Sequence, residues 1–186
     1  MAPPDNGQSN GSPATSTSTT SPGAAPGVRH LRRLIQVARG CRRPLIHLQH
    51  TPDPDALGSA AALQYLLRRL LGVEAVLAYT GRVGRVENRA MLRYLKIGIK
   101  PSYKIDYDEH DLIAVVDTHP GSGTCRLPMG VVPDVVVDHH PGDEELLKGV
   151  AFPYYDPAFG STSTMIGALF VDNGIELPED IATALT

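Results

Sequence analysis

Two cysteines, Cys41 and Cys125, are all that the 186-residue chain carries, and they form neither a metal-type spacing nor a disulfide framework. A reducing, cytoplasmic setting is the expectation. Long apolar runs are missing too. The longest are of the order of Leu112–Val116, whereas a membrane span needs about 20 apolar residues, so no membrane partner is expected. The first residues lack a basic start followed by an apolar core, so no secretory signal is expected either. Arg32-Arg33 is followed by Arg39, Arg42 and Arg43, which turns a twin-arginine reading into charge on a helix surface. A basic excess is absent as well: 17 Lys and Arg stand against 20 Asp and Glu, a formal charge of −3. Duplex DNA is therefore not an expected partner.

The residues that are present are unevenly distributed. Of residues 1–27, 22 are Ser, Thr, Pro, Gly or Ala, and none is aromatic, Val, Ile or Leu. Such a segment buries too little apolar surface to offset its ordering entropy and reads as a disordered tail. The body, Val28 to Thr186, is long enough to bury roughly 70% of the surface its unfolded chain exposes.

Along the body, Arg29–Gly40 places Leu31, Leu34, Ile35 and Ala38 at helical spacing. Short apolar runs at Pro44–Leu48, Glu74–Tyr79, Asp111–Val116 and Asp134–Val137 read as strands. Helical patterns cover Ala56–Leu71, Glu87–Lys96 and Ser161–Val171, and Pro178 opens another. Continuous apolar strands alternating with helices imply an α/β fold with a Rossmann-like open, mainly parallel sheet flanked by helices and covered on both faces.

In such sheets ligands bind beyond the carboxyl ends of the strands, so the residues just past each apolar run are informative. His50, Asp53 and Asp55 come after the first, Asp117 after the third, and Asp138-His139-His140 after the fourth. Taken singly, Asp-Pro-Asp also reads as a turn and a strand-end Asp as a helix cap. Together they deliver carboxylate and imidazole to one edge of the sheet. Clustered carboxylates need a cation to offset their charge, and oxygen ligands with some imidazole suit Mn²⁺ or Mg²⁺. Asp53 and Asp55 could contact one ion or two adjacent ions, with Asp117 between them. Two such ions clamp the attacking and leaving oxygens of a phosphoryl transfer. Arg85 and Arg89 are candidates for substrate phosphates. Ser161 and Thr162 sit at a helix start, where either phosphate binding or capping applies. His47, His110 and His119 stay unassigned.

These residues resemble the DHH family of phosphoesterases. Asp138-His139-His140 matches the motif that names it, Pro52–Ser59 (PDPDALGS) its first motif and Val115–Thr118 (VVDT) its second, while GRVGRVENRAML and GSTST are similar to further segments. The likeness runs from about residue 43 onward, nearest to the oligoribonuclease and pAp-phosphatase branch. It implies a Mn²⁺-dependent hydrolase of short oligonucleotides or small nucleotides, using two ions. By that resemblance Asp53 binds the first ion, Asp55 the second and Asp117 both. His139 is a ligand, His140 meets the substrate phosphate or leaving group, and Asp138 orients an imidazole. A homodimer is open.

Two departures stand out. The family carries a ligand His four residues before the first Asp, where this chain has Gln49; the neighbouring His50 is the expected substitute. The family's pattern also continues past a helix like Pro178–Thr186 to a further metal-binding Asp and a substrate-binding domain. The chain is accordingly expected to be an incomplete catalytic domain, active as a phosphoesterase or catalytically silent.

Overall fold

The computed structural model describes residues 25–186. Its elements are α1 (Pro26–Ala38), β1 (Pro44–Leu48), α2 (Pro54–Leu71), β2 (Val76–Tyr79), α3 (Val86–Tyr94), β3 (Ile99–Pro101), β4 (Leu112–Val116), β5 (Val135–Asp138), β6 (Phe152–Tyr155), α4 (Thr162–Val171) and α5 (Glu179–Ala184). All six strands run parallel in the order β3-β2-β1-β4-β5-β6. The order reverses between β1 and β4, and such a switch point opens a crevice at the carboxyl ends of the strands.

The expected α/β fold is the one observed, with three differences. The helix begins at Pro26, not beyond residue 27. Gly27 is buried, and a Cβ there would lie 2.4 Å from the Ala168 carbonyl oxygen of α4. The rest of the expected tail, residues 1–24, lies outside the described residues. Second, β3 and β6 are not legible in the sequence. They are the two edge strands, one ends in Pro101 and the other contains Pro153, and an edge is where a sheet tolerates proline. Third, the long helices lie on one face only. Leu34, Leu57, Leu66, Ile166 and Phe170 pack there against Ile46, Leu48, Val135 and Val137. On the other face Leu45, Val115 and Val136 are covered by Tyr107, Leu147, Val150 and Leu127, from short 3-10 turns and loops. Among the described residues no helix is long and apolar enough to cross a membrane.

The first turn of α2 places the PDPD segment. Pro54 opens the helix, Asp53 caps it by accepting the Ala56 N–H (3.0 Å), and Gly72 ends it in the left-handed conformation (φ +70°). Further along, Gly58 is in close apposition with α5: a Cβ would fall 1.9 Å from the Ala184 carbonyl oxygen. Because the obstacle is backbone, Gly58→Ala must displace α5. It is expected to lower stability by about 1–3 kcal/mol, read as a drop in thermal midpoint.

Candidate metal centre

Three strand ends meet at the switch point. Asp117 follows β4 with φ +60°, a left-handed conformation uncommon outside glycine, and its N–H donates to Val137 O at 2.9 Å. This backbone turn sets the carboxylate into a fully buried position. There Oδ2 accepts from Gln49 Nε2 (2.6 Å) and Oδ1 from the Thr162 hydroxyl (2.9 Å). Burial, then the charges of Asp55 and Asp53, push its pKa up to about 9, against which the Thr162 hydrogen bond works. In the absence of a cation Asp117 therefore keeps a proton at neutral pH.

Around it stand two imidazoles. One ligand-type atom each from Asp117, His139 and His140 lie within 4.8 Å of one another. The His139 ring is oriented by Nδ1, 3.1 Å from the Phe159 carbonyl oxygen. A carbonyl only accepts, so Nδ1 carries the hydrogen and the ring is held with its Nε2 turned toward the carboxylates. That Nε2 lies 3.6 Å from Asp55 Oδ2 and 3.7 Å from Asp117 Oδ1. An imidazole nitrogen and two carboxylate oxygens thus converge at distances too long for direct hydrogen bonds, an arrangement of ligand-type atoms suited to a cation between them. His140 Nδ1 is 2.8 Å from Asp138 Oδ1, which leaves its Nε2 free.

Asp138 is the hub behind the imidazoles. Fully buried, it accepts the N–H groups of His139 (2.9 Å) and His140 (3.2 Å) on Oδ1, and its Oδ2 is 2.5 Å from Nδ1 of the buried His119. His119 carries no clear sequence signal. Its proximity to Asp138 depends on the parallel pairing of β4 with β5.

The remaining sequence candidates fall into different places. Asp55 caps α4, taking Thr162 N–H on Oδ2 (2.8 Å) and Ser163 N–H on Oδ1 (2.7 Å). The amides suggested for a phosphate are therefore engaged by a carboxylate. Ser161 caps the same helix through Thr164 N–H (3.1 Å), and the Thr162 hydroxyl serves Asp117. His50 is not gathered with Asp117: it is exposed, with Nδ1 3.1 Å from the Thr80 hydroxyl. The residue that reaches Asp117 is Gln49, because the backbone after β1 brings position 49 inward and turns 50 out. Arg85 borders a hollow of about 330 Å³ shared with Gln49, Thr51, Asp53 and Asn88. Arg89 instead braces that loop by donating to Gly84 O.

One buried histidine stands apart from this cluster. His47, inside β1, is fully buried with both ring nitrogens unpartnered, and burial lowers its pKa to about 4. The unfolded ring titrates near 6.5, so this residue's contribution is complete above that pH and lost as pH falls towards 4. His47→Leu is expected to stabilise the fold by about 1–2 kcal/mol at neutral pH. It should also remove part of the acid-side loss, read by urea unfolding on either side of pH 6.

The chain is similar to known proteins in sequence and in fold. The profile of the DHH family, N-terminal domain, matches residues 44–186. The chain is 34% identical over 163 residues to the uncharacterized protein MJ1633 of Methanocaldococcus jannaschii, covering 86% of this chain and 32% of that one. It is 30% identical over 139 residues to the probable manganese-dependent inorganic pyrophosphatase of Streptococcus mutans, covering 74% and 44%. A crystal structure of an exopolyphosphatase-related protein from Bacteroides fragilis superposes with a TM-score of 0.63 at 16% identity, over 85% of this chain and 48% of that one, a likeness of fold. The chain thus spans a third to a half of the length of these relatives.

Proposed function

The chain belongs to the DHH family, and from that premise we propose that it is a metal-dependent phosphoesterase whose substrates are short oligonucleotides or small nucleotides. One observation carries the metal: Nε2 of His139 faces Asp55 and Asp117 oxygens at 3.6–3.7 Å, converging but too far apart for direct hydrogen bonds. The raised pKa of Asp117 supports it, since that carboxylate lacks the charge compensation a divalent ion would give. Asp55, Asp117 and His139 hold an ion, Mn²⁺ by preference and Mg²⁺ next. Asp53, whose charge also acts on Asp117, extends the set to a second. His50 belongs to it only if its loop turns inward. Bound divalent ions supply Lewis-acid polarisation of the phosphoryl oxygens and activate water as a nucleophile.

The chain's own groups do the rest. Asp138 holds His140 through Nδ1, so the outward Nε2 can carry a proton to the leaving oxygen. Arg85, at the hollow beside Asp53, binds a phosphate of the substrate. Arg89 supports it by fixing the loop at Gly84. Ser161 and Thr162 serve the substrate through α4, whose first turn they shape.

The test is calorimetry with Mn²⁺, then assays on di- to pentaribonucleotides, pAp, cyclic dinucleotides, pyrophosphate and polyphosphate. Release of mononucleotides or phosphate that disappears in His139→Ala is the expected result, and the substrate panel decides the branch. If Mn²⁺ binds and nothing is turned over, the chain is a catalytically silent DHH-like domain. If Mn²⁺ does not bind, the metal centre itself is wrong.

A further inference from the structure

The acids and bases of this chain are segregated: between Asp5 and Asp53 there is no acidic residue, and six arginines stand there. Four of them, Arg29, Arg32, Arg33 and the C-cap Arg39, belong to α1 and its end and have exposed side chains. With 100° per residue they fall on one side of the helix, and with 1.5 Å of rise they form a row about 15 Å long. Among the described residues none of the four takes part in an ion pair. Arg33 donates instead to two neutral oxygens, Gln36 Oε1 (3.1 Å) and Ala151 O (3.2 Å). Among the described residues the only carboxylate bonded to α1 is Asp172, at the Gly27 N–H (2.9 Å).

Beside this row lies a groove of about 560 Å³. Val28 and Ile35, both partly exposed, give it an apolar floor over the buried Leu31, and Arg32, Arg39 and Gln36 line it from the cationic side. The groove is far from the metal centre. Gly27 meets the end of α4 opposite to the one that Asp55 caps, and α4 alone is about 15 Å long.

We propose that α1 and this groove form a binding surface for single-stranded nucleic acid, separate from the hydrolytic site. The row of guanidiniums pairs with successive phosphates, and the apolar floor takes the face of an unstacked base. A duplex offers phosphates alone and leaves the floor wet, so it binds more weakly. A bilayer is disfavoured because Leu31, Leu34 and Ala38, the apolar side of α1, are committed to the core and cannot insert. The surface would retain a strand whose end is processed elsewhere, but strand binding itself does not depend on the hydrolytic reading.

The experiment uses the full chain in EDTA, where no turnover interferes, and the anisotropy of a fluorescein-labelled oligothymidylate of about 20 nucleotides. Binding is expected to weaken as salt rises from about 50 to 200 mM. The doubly reversed Arg32→Glu, Arg39→Glu chain should bind at least ~10-fold more weakly, with a salt slope shallower by about 1.4 in log–log terms. The control is Arg93→Glu with Lys148→Glu, which changes net charge equally on other elements and should bind nearly as the parent does. Circular dichroism checks that both variants fold. The proposal is overturned if parent and double variant bind alike or if the control loses as much. Equal binding of the duplex, or preferential capture by phosphatidylglycerol vesicles, overturns it as well. Because binding is measured without metal, its failure leaves the hydrolase assay untouched, and a silent metal centre leaves this result standing.

Discussion

Asp117→Asn is expected to abolish Mn²⁺-dependent hydrolysis and at the same time to make the metal-free chain more stable. Both effects come from one carboxylate. Asp117 is buried between Asp55, Asp53 and Asp138 with its pKa pushed up to about 9. An unfolded aspartate ionises near 3.9, so across the window from about 4 to 9 the folded chain binds the additional proton and its stability falls as pH rises. Asparagine has no charge to lose and flattens that slope. It also tolerates the positive φ better than most residues do and still accepts the Thr162 hydroxyl, while Gln49 can turn its amide oxygen to the new donor. The fold therefore survives the exchange. Losing an outer partner of a metal site typically costs about 10–100-fold, and losing Asp117, proposed as the ligand at its centre, should cost more, on the order of 10³-fold in turnover. Unfolding at pH 5 and pH 8, with and without Mn²⁺, together with kcat, checks both halves. A variant that is less stable at pH 8 without metal would refute the account of Asp117.

The second large effect concerns the position that breaks the family's pattern. Gln49 Nε2 donates to Asp117 Oδ2 at 2.6 Å, so the side chain at 49 already reaches the centre while His50 faces Thr80. Gln49→His should turn an amide donor into an imidazole ligand and tighten Mn²⁺ binding by about tenfold or more. His50→Ala, by contrast, should leave affinity unchanged. Parallel calorimetric titrations of the two variants decide the point. Loss of affinity in His50→Ala would restore His50 as the ligand.

The central sheet and the motif positions are legible because they rest on local rules. Buried parallel strands read as apolar runs, and the residues after them fall at one edge, so Asp53, Asp55, Asp117 and Asp138-His139-His140 can be placed together from sequence alone. The features that escape depend on contacts between distant segments. Strands β3 and β6 are short, carry proline and gain their identity from a neighbour. His119 matters through Asp138, 19 residues away. The choice between Gln49 and His50 is a matter of which way a loop turns, and adjacent residues in extended chain face opposite sides. At its helix start Thr162 leaves phosphate binding and capping both open, and the bond of its hydroxyl to Asp117, 45 positions earlier, has no local signal.

The hydrogen bonds that Gln49, Thr162 and two α4 amides give to Asp117 and Asp55 have a consequence for life under metal starvation. Zinc-finger-like domains unfold when stripped of their ion because the ion is their core. Here the carboxylates are already held by the chain, and Asp55 Oδ2, which accepts a single hydrogen bond from the Thr162 N–H, retains a lone pair for a cation. On the proposed reading, a chain of this kind stays folded while its centre is empty and takes up manganese again without a round of refolding.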